Sequence, residues 1–342
     1  MKQFKDTKVA KILKERWAGK DMETYFIEKN KEFITRLKTE VKTEVKKISM
    51  RNLNLVYQDL SDVKYRISRF PDGQQTVDLE GLYNIDDSFT IHSRLSSFRD
   101  LELILCATQA LKGLGVKDIT LHVPYFIGAR SDRRFAEGGV NYLKEVICPI
   151  INSQNYSQVV VMDPHSDVLE ACLNNFRKIS NSLLVKHALT KIDNKDDAQL
   201  RTMIVSPDAG ALKKIYDVAK EFDIERVVTA GKVRDIKTGK IVKTQLPETD
   251  FTGIEQIVII DDICDGGRTF IELAKVIREA GYKGKIFLIV THGIFSAGFE
   301  LINRYFDGVY VTNSYSDIPS YVDDVQESKD SSKITQLNLF KH

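Results

Sequence analysis

The chain has 342 residues, room for two domains of ordinary size, and at 42% hydrophobic and 29% charged it can bury a sizeable core. Its 50 Lys and Arg against 48 Asp and Glu leave a formal net charge of only +2, so there is no global reason to expect nucleic acid as a partner. Cys106, Cys148, Cys172 and Cys264 form no CxxC pair and fit reduced thiols in a cytoplasmic protein. The start, Met1-Lys-Gln-Phe-Lys-Asp6, has no apolar signal region, and no run of about 18 apolar residues exists to span a membrane.

Residues 1–48 read as a highly charged helical extension. Val9, Ile12, Leu13, Trp17 and then Ile27, Phe33, Ile34, Leu37 recur at roughly helical spacing, as in an amphipathic appendage or a partner helix. Lys38-Thr-Glu-Val-Lys-Thr-Glu-Val45 reads as a solvated helix face. From about residue 50 short strands alternate with helices. Strands are expected at Leu53–Tyr57, Thr90–His92, Ile119–Val123, Val159–Met162, Met203–Ser206, Arg226–Ala230, Gln256–Ile260, Lys285–Thr291 and Gly308–Thr312. Helices are expected at Phe98–Gly113, Gly139–Ser153, Asp167–Asn175, Gly210–Glu221, Thr269–Ala280 and Ala297–Tyr305, with a polar, loop-rich stretch over 316–333. Repeated βα units imply parallel sheets, and the strands are too many for one ordinary sheet. The expected fold is therefore α/β with two tandem domains, 49–180 and 181–342, behind the extension.

In such sheets ligands gather beyond the carboxyl ends of the strands, and five motifs sit there. Val123-Pro-Tyr-Phe-Ile-Gly-Ala-Arg-Ser-Asp-Arg-Arg-Phe135 carries Arg130, Arg133 and Arg134 around Asp132. Arginines in that place suit a polyphosphate, and an exposed, salt-bridged loop is the plainer alternative. Val159-Val-Val-Met-Asp-Pro-His-Ser-Asp167 puts His165 between two acids, to bind a metal, orient a phosphate or serve the structure. Met203-Ile-Val-Ser-Pro-Asp-Ala-Gly-Ala211 places Asp208 to meet a metal or a sugar hydroxyl, or simply caps a helix start. Thr229-Ala-Gly-Lys-Val-Arg-Asp-Ile-Lys-Thr-Gly-Lys-Ile241 is a basic loop suited to closing over a polyphosphate, or an exposed hairpin. Ile257-Val-Ile-Ile-Asp-Asp-Ile-Cys-Asp-Gly-Gly-Arg-Thr-Phe270 carries most information: a buried strand, the adjacent carboxylates Asp261 and Asp262, a glycine turn and a helix start. Free N–H groups and the helix dipole hold a phosphate there, and the carboxylates accept hydrogen bonds from ribose hydroxyls.

With Arg69-Phe-Pro-Asp-Gly-Gln74 and Thr291-His-Gly-Ile-Phe-Ser296, these motifs in this order resemble the ribose-phosphate diphosphokinases, or PRPP synthetases, over about residues 50–315. The resemblance implies two phosphoribosyltransferase-type domains with the active site between them. It implies transfer of the β,γ-diphosphoryl group of ATP to O1 of ribose 5-phosphate, with Mg²⁺ as cofactor and AMP released. By the same resemblance Asp261, Asp262, Asp265, Gly266, Gly267, Arg268 and Thr269 hold the ribose phosphate. Arg130, Asp132, Arg133 and His165 belong to the ATP side, His165 and Asp208 to the metal, and Lys232 and Arg234 to the catalytic loop. Phe70, Asp72 and Gln74 match a segment that a neighbouring subunit brings to adenine, so a homo-oligomer with a shared ATP site is implied.

The chain departs from the family at Gln74 for Glu, at Ser131 for Gln, and in Asp265-Gly-Gly-Arg-Thr269 for Asp-Thr-Gly-Gly-Thr. It also ends soon after Phe340 without the family's last helix. The altered loop leaves a 5′-substituted acceptor such as ADP-ribose as an alternative to ribose 5-phosphate, with Arg268 pairing its diphosphate. A phosphoribosyltransferase that consumes PRPP and a non-catalytic regulatory homologue are the competing classes.

Overall fold

The computed structural model describes residues 50–81, 87–193, 195–207, 209–234, 241–318 and 333–340. The helical expectation for 1–48 and most of the stretch 316–333 lie outside the described residues.

The first half opens with β1 (Met50–Asn54), an antiparallel hairpin of β2 (Lys64–Arg69) and β3 (Gln75–Glu80), and β4 (Ser88–His92). Helix α1 (Phe98–Gly113) follows, started by a reciprocal capping box between Ser97 and Asp100. Then come β5 (Ile119–His122), a π-helical turn over Leu143–Ile147 that runs into α2 (Cys148–Asn152), β6 (Gln158–Met162), α3 (Val168–Cys172) and β7 (Phe176–Ile179). The five strands β1-β4-β5-β6-β7 form one parallel sheet in that order.

The second half comprises α4 (Ser182–Ile192), β8 (Thr202–Ser206), α5 (Leu212–Glu221), β9 (Arg226–Thr229) and a ribbon of β10 (Gly231–Arg234) with β11 (Ile241–Gln245). It continues through β12 (Gln256–Cys264), α6 (Arg268–Glu279), β13 (Lys285–Gly293), α7 (Glu300–Tyr305), β14 (Gly308–Thr312) and β15 (Ile334–Leu337). Its sheet is parallel throughout, in the order β15-β14-β13-β12-β8-β9. Helices on both faces explain why β12 is apolar along its first half: Ile257, Val258, Ile259 and Ile260 are fully buried, alternating between two core clusters. Among the described residues no helix is long and apolar enough to cross a membrane, and all four cysteines are free.

The halves are joined by a buried polar seam. Asp163, just past β6, is 2% exposed and adopts φ +42°. One of its oxygens meets Lys214 Nζ at 2.7 Å, and the other accepts from Thr291 Oγ1 at 2.5 Å and Asn181 Nδ2 at 3.2 Å. Buried His292 spans Met162 O at 3.0 Å and Ser314 Oγ at 2.8 Å. At the edge of the seam the last described residue, Phe340, is buried under Arg94, and its carbonyl accepts from Asn54 Nδ2 at 3.1 Å.

Beside Phe340, His92 Nδ1 and His122 Nδ1 lie 2.9 Å apart, with His92 Nε2 3.1 Å from Asn52 Oδ1. Burial, and then the neighbouring His92, pushes His122 from its ordinary 6.5 down to about 4. Between those values the unfolded chain binds the proton that the folded chain refuses, so stability falls as pH drops. The His122→Asn variant should lose about 2–3 kcal/mol less than the wild type between pH 7 and pH 4, read by urea unfolding. Parallel stability curves for the two proteins would contradict this assignment.

Candidate active site

Strand β12 runs further than its apolar pattern suggested, through the acidic pair to Cys264. Asp261 and Asp262 therefore lie within the strand near its carboxyl end, set on opposite faces. Asp261 Oδ1 accepts from the backbone N–H of Asp262 at 2.9 Å. Asp262 Oδ2 lies 2.7 Å from His165 Nδ1, which comes from the first half. Burial, and then the Asp262 charge, pushes the Asp261 carboxyl well above the usual range. Burial works against Asp262 too, but the hydrogen bond from His165 and the charge of Lys214 outweigh it and hold Asp262 below the usual range. The same hydrogen bond raises His165. Negative charge thus settles on Asp262 first, beside a carboxyl that holds its proton more tightly.

Past Cys264 the chain turns through Asp265, Gly266 and Gly267 into α6. Gly267 is the N-cap, at φ +73°, and a Cβ built on it would stand 2.8 Å from Ile302 Cδ1. Backbone conformation and contact with α7 both demand glycine here. Asp265 accepts from Ser296 Oγ at 2.6 Å and from Arg130 Nη2 at 2.9 Å, so a second pair of groups crosses between the halves. The hydrogen bond from Ser296, and then the one from Arg130, holds Asp265 below the ordinary carboxylate range.

These elements enclose a cleft of about 600 Å³. Of the residues expected from sequence, it brings together Arg130, Arg133, His165, Asp261, Asp262, Asp265, Gly266, Gly267, Arg268 and Thr269. A larger cavity, about 740 Å³, lies at the opposite end of the second sheet among Lys191, Asp193, Lys283 and Lys285, and none of the expected site residues reaches it. The cleft is the better candidate because cations, carboxylates and an N–H-lined turn converge there.

Other expected residues stand apart. Phe70, Asp72 and Gln74 form the tip of the β2–β3 hairpin, with Phe70 52% exposed, and none of them lines the cleft. Asp132 is not among the lining residues, although its charge acts on His165. Asp208 lies outside the described residues. Lys232 and Arg234 sit on β10, paired with β11 and with an irregular register between Val233 and Arg234. The strands on either side thus pair as a two-stranded ribbon, in keeping with the exposed hairpin that the sequence offered beside a closing loop. The side chains of both residues, and residues 235–240, lie outside the description.

Sequence reasoning missed Lys214. It lines the cleft from the first turn of α5 and is 22% exposed. Burial tends to lower it, but Asp163, Asp262 and Asp261 outweigh that and raise it, so it remains a cation. Its one sequence signal is its place in the first helical turn after the Ser206-Pro-Asp-Ala-Gly210 motif.

Known proteins share this architecture. The phosphoribosyl transferase domain model matches residues 175–296. The chain is 27% identical over 261 residues to a ribose-phosphate pyrophosphokinase of Sulfurisphaera tokodaii, covering 74% of this chain and 85% of that one. It is 28% identical over 282 residues to a protein of the same description from Shewanella oneidensis, covering 80% and 83%. A crystal structure of phosphoribosylpyrophosphate synthetase from Mycobacterium smegmatis superposes with a TM-score of 0.67 over 85% of this chain and 95% of that one. At 16% identity that likeness shows a common fold.

The two glycines of the turn are not equivalent. Gly267→Ala should cost about 1–3 kcal/mol in urea unfolding, from strained backbone and the clash with Ile302. At Gly266 the nearest side-chain atom to an added Cβ would be Ser296 Oγ at 3.8 Å, so Gly266→Ala should stay within about 0.5 kcal/mol of wild type. Equal effects at both positions would contradict this account of the turn.

Proposed function

We propose that the chain is a member of the ribose-phosphate pyrophosphokinase family and that it transfers the β,γ-diphosphoryl group of ATP to O1 of ribose 5-phosphate, giving PRPP and AMP. The observation that carries the reading is the single cleft in which Arg130, Arg133 and His165 of one half face the Asp261–Thr269 segment of the other. Cations on one wall suit a polyphosphate donor. Strand-end carboxyls and an N–H-lined turn on the other suit a ribose phosphate. Residues 49–180 would form the ATP side and 181–342 the ribose-phosphate side.

The chemistry asks for charge neutralisation and in-line placement rather than a protein nucleophile. Asp261 and Asp262 orient the ribose hydroxyls by accepting hydrogen bonds from them. Gly266, Gly267, Arg268 and Thr269 hold the 5-phosphate at the start of α6. Arg130, Asp132 and Arg133 place the triphosphate. Lys232 and Arg234, carried on the β10–β11 ribbon, stabilise charge as AMP leaves. Phe70, Asp72 and Gln74 reach adenine from a neighbouring copy, which makes the working enzyme a homo-oligomer.

Mg²⁺ suits the donor set. Among the described residues no group of three or more His, Cys, Asp or Glu closes into a protein cage. His165 and strand-end carboxyls instead fit a hard ion that keeps waters and phosphate oxygens as ligands. His165 and Asp208 would hold it, and when bound it supplies charge neutralisation on the phosphates.

Incubation with Mg-ATP and ribose 5-phosphate tests the reaction. AMP should appear one-for-one with product. Stoichiometric ADP would indicate simple phosphoryl transfer, and no nucleotide turnover would favour a regulatory or PRPP-consuming protein.

A second acceptor is supported by one feature of the turn. Arg268 opens α6 and lines the cleft, and Gly266 leaves space beside Ser296. An extra guanidinium with more room suits a 5′-diphosphate such as that of ADP-ribose. The ratio of kcat/KM for the two acceptors decides between them. We expect ribose 5-phosphate to be preferred, with Arg268→Gly widening that preference. A preference for ADP-ribose would replace the acceptor and leave the transfer chemistry in place.

A further inference from the structure

We infer that Lys214 is a catalytic cation of this cleft, donating to the oxygens of the diphosphoryl group as it passes between the two walls. The inference rests on the diphosphotransfer reading above. Lys214 belongs to the second half, yet Asp163 of the first half anchors its ammonium at 2.7 Å. An ammonium has three N–H donors. One serves Asp163, and no second hydrogen-bond partner for Nζ is found among the described residues. The side chain is 22% exposed, and that exposure belongs to a residue of the cleft lining. A fixed cation with spare donors therefore faces the space that anionic substrates must enter.

Its position between the walls points to the transferring group rather than to either substrate alone. Its charge acts on His165 from the polyphosphate wall and on Asp261 and Asp262 from the ribose wall. Thr291 and Asn181 donate to one oxygen of Asp163, and the Lys214 ammonium holds the other, so the carboxylate fixes the lysine's head at the mouth of the cleft. Arg130, the other cation that crosses the cleft, is paired with Asp265 on the ribose side. That leaves Lys214 as the anchored cation between the walls. The bond made is O1–Pβ and the bond broken is the α,β-bridging P–O. The electron pair of the broken bond leaves on the AMP oxygen, the O1 hydroxyl proton is lost to solvent water, and Lys214 stays protonated throughout.

The test compares Lys214→Met, Lys214→Arg and the neutral pair Asp163→Asn/Lys214→Met with wild type, measuring AMP release at saturating substrates and thermal unfolding. Lys214→Met should lower kcat by about 10²-fold or more, the usual consequence of removing a preorganised charge donor. Lys214→Arg should recover most of that loss. The neutral pair leaves no buried charge unpaired, so it should unfold near the wild-type temperature while staying as slow as Lys214→Met. Near-wild-type kcat in the neutral pair would show a brace and overturn the inference, as would a kcat within about three-fold of wild type for Lys214→Met. A wild-type protein that releases no AMP is a separate result: it would overturn the proposed reaction, and this role with it.

Discussion

A buried carboxylate must be satisfied where it stands, and Asp163 is satisfied largely from the other half of the molecule. It closes β6 of the first sheet at 2% exposure, while Lys214 and Thr291 reach it from α5 and β13 of the second half. An unpaired carboxylate at that depth would cost several kcal/mol, so the carboxyl ends of the two sheets have little freedom to separate there. The remaining cross-connections follow the same line: His292 to the carbonyl of Met162, and Arg130 to Asp265. Because parallel sheets present their ligand-binding ends on one side, joining them there makes a cleft whose floor is polar and whose walls carry different chemistry.

That floor also governs the ionisation of the strand-end acids. Two neighbouring carboxyls in a partly dry site cannot ionise equally. His165 and Lys214 both favour charge on Asp262, and Asp261 gives way. The arrangement depends on groups from both halves, so the wall built on β12 owes its electrostatic character to His165 as well as to Lys214. Sequence, packing and chemistry meet at the same few residues, Asp163-Pro-His165 and Asp261-Asp262.

The wall built on β12 and the glycine turn was legible in the sequence because each of its parts has a local cause. Ile257–Ile260 announces a strand buried on both faces, and Gly267 announces a backbone that side chains avoid. Elements that depend on distant partners were not legible. The hairpin β2–β3 exists through cross-strand pairing, which leaves no apolar run, whereas at β10–β11 the sequence offered an exposed hairpin beside a loop. β7, Phe176-Arg-Lys-Ile179, is an edge strand of the first sheet with mostly exposed residues, and β15 forms an edge of the second sheet from beyond a long polar stretch. α4 was passed over between the two sheets, where Leu183 is exposed and blurs the apolar stripe. Lys214 was missed for the same reason. A lysine in an amphipathic helix reads as a solvated face, and only Asp163, remote in sequence, draws it inward.

The account holds that the anomeric oxygen of a ribose phosphate, bound at the end of β12, attacks the β-phosphorus of a nucleotide held across the cleft. The most direct measurement is ³¹P NMR of the reaction run with acceptor carrying ¹⁸O at C1. The account requires the isotope-shifted signal at the phosphorus newly bonded to the sugar, and unlabelled AMP. Label in AMP, or a sugar–phosphorus bridge without ¹⁸O, would contradict it.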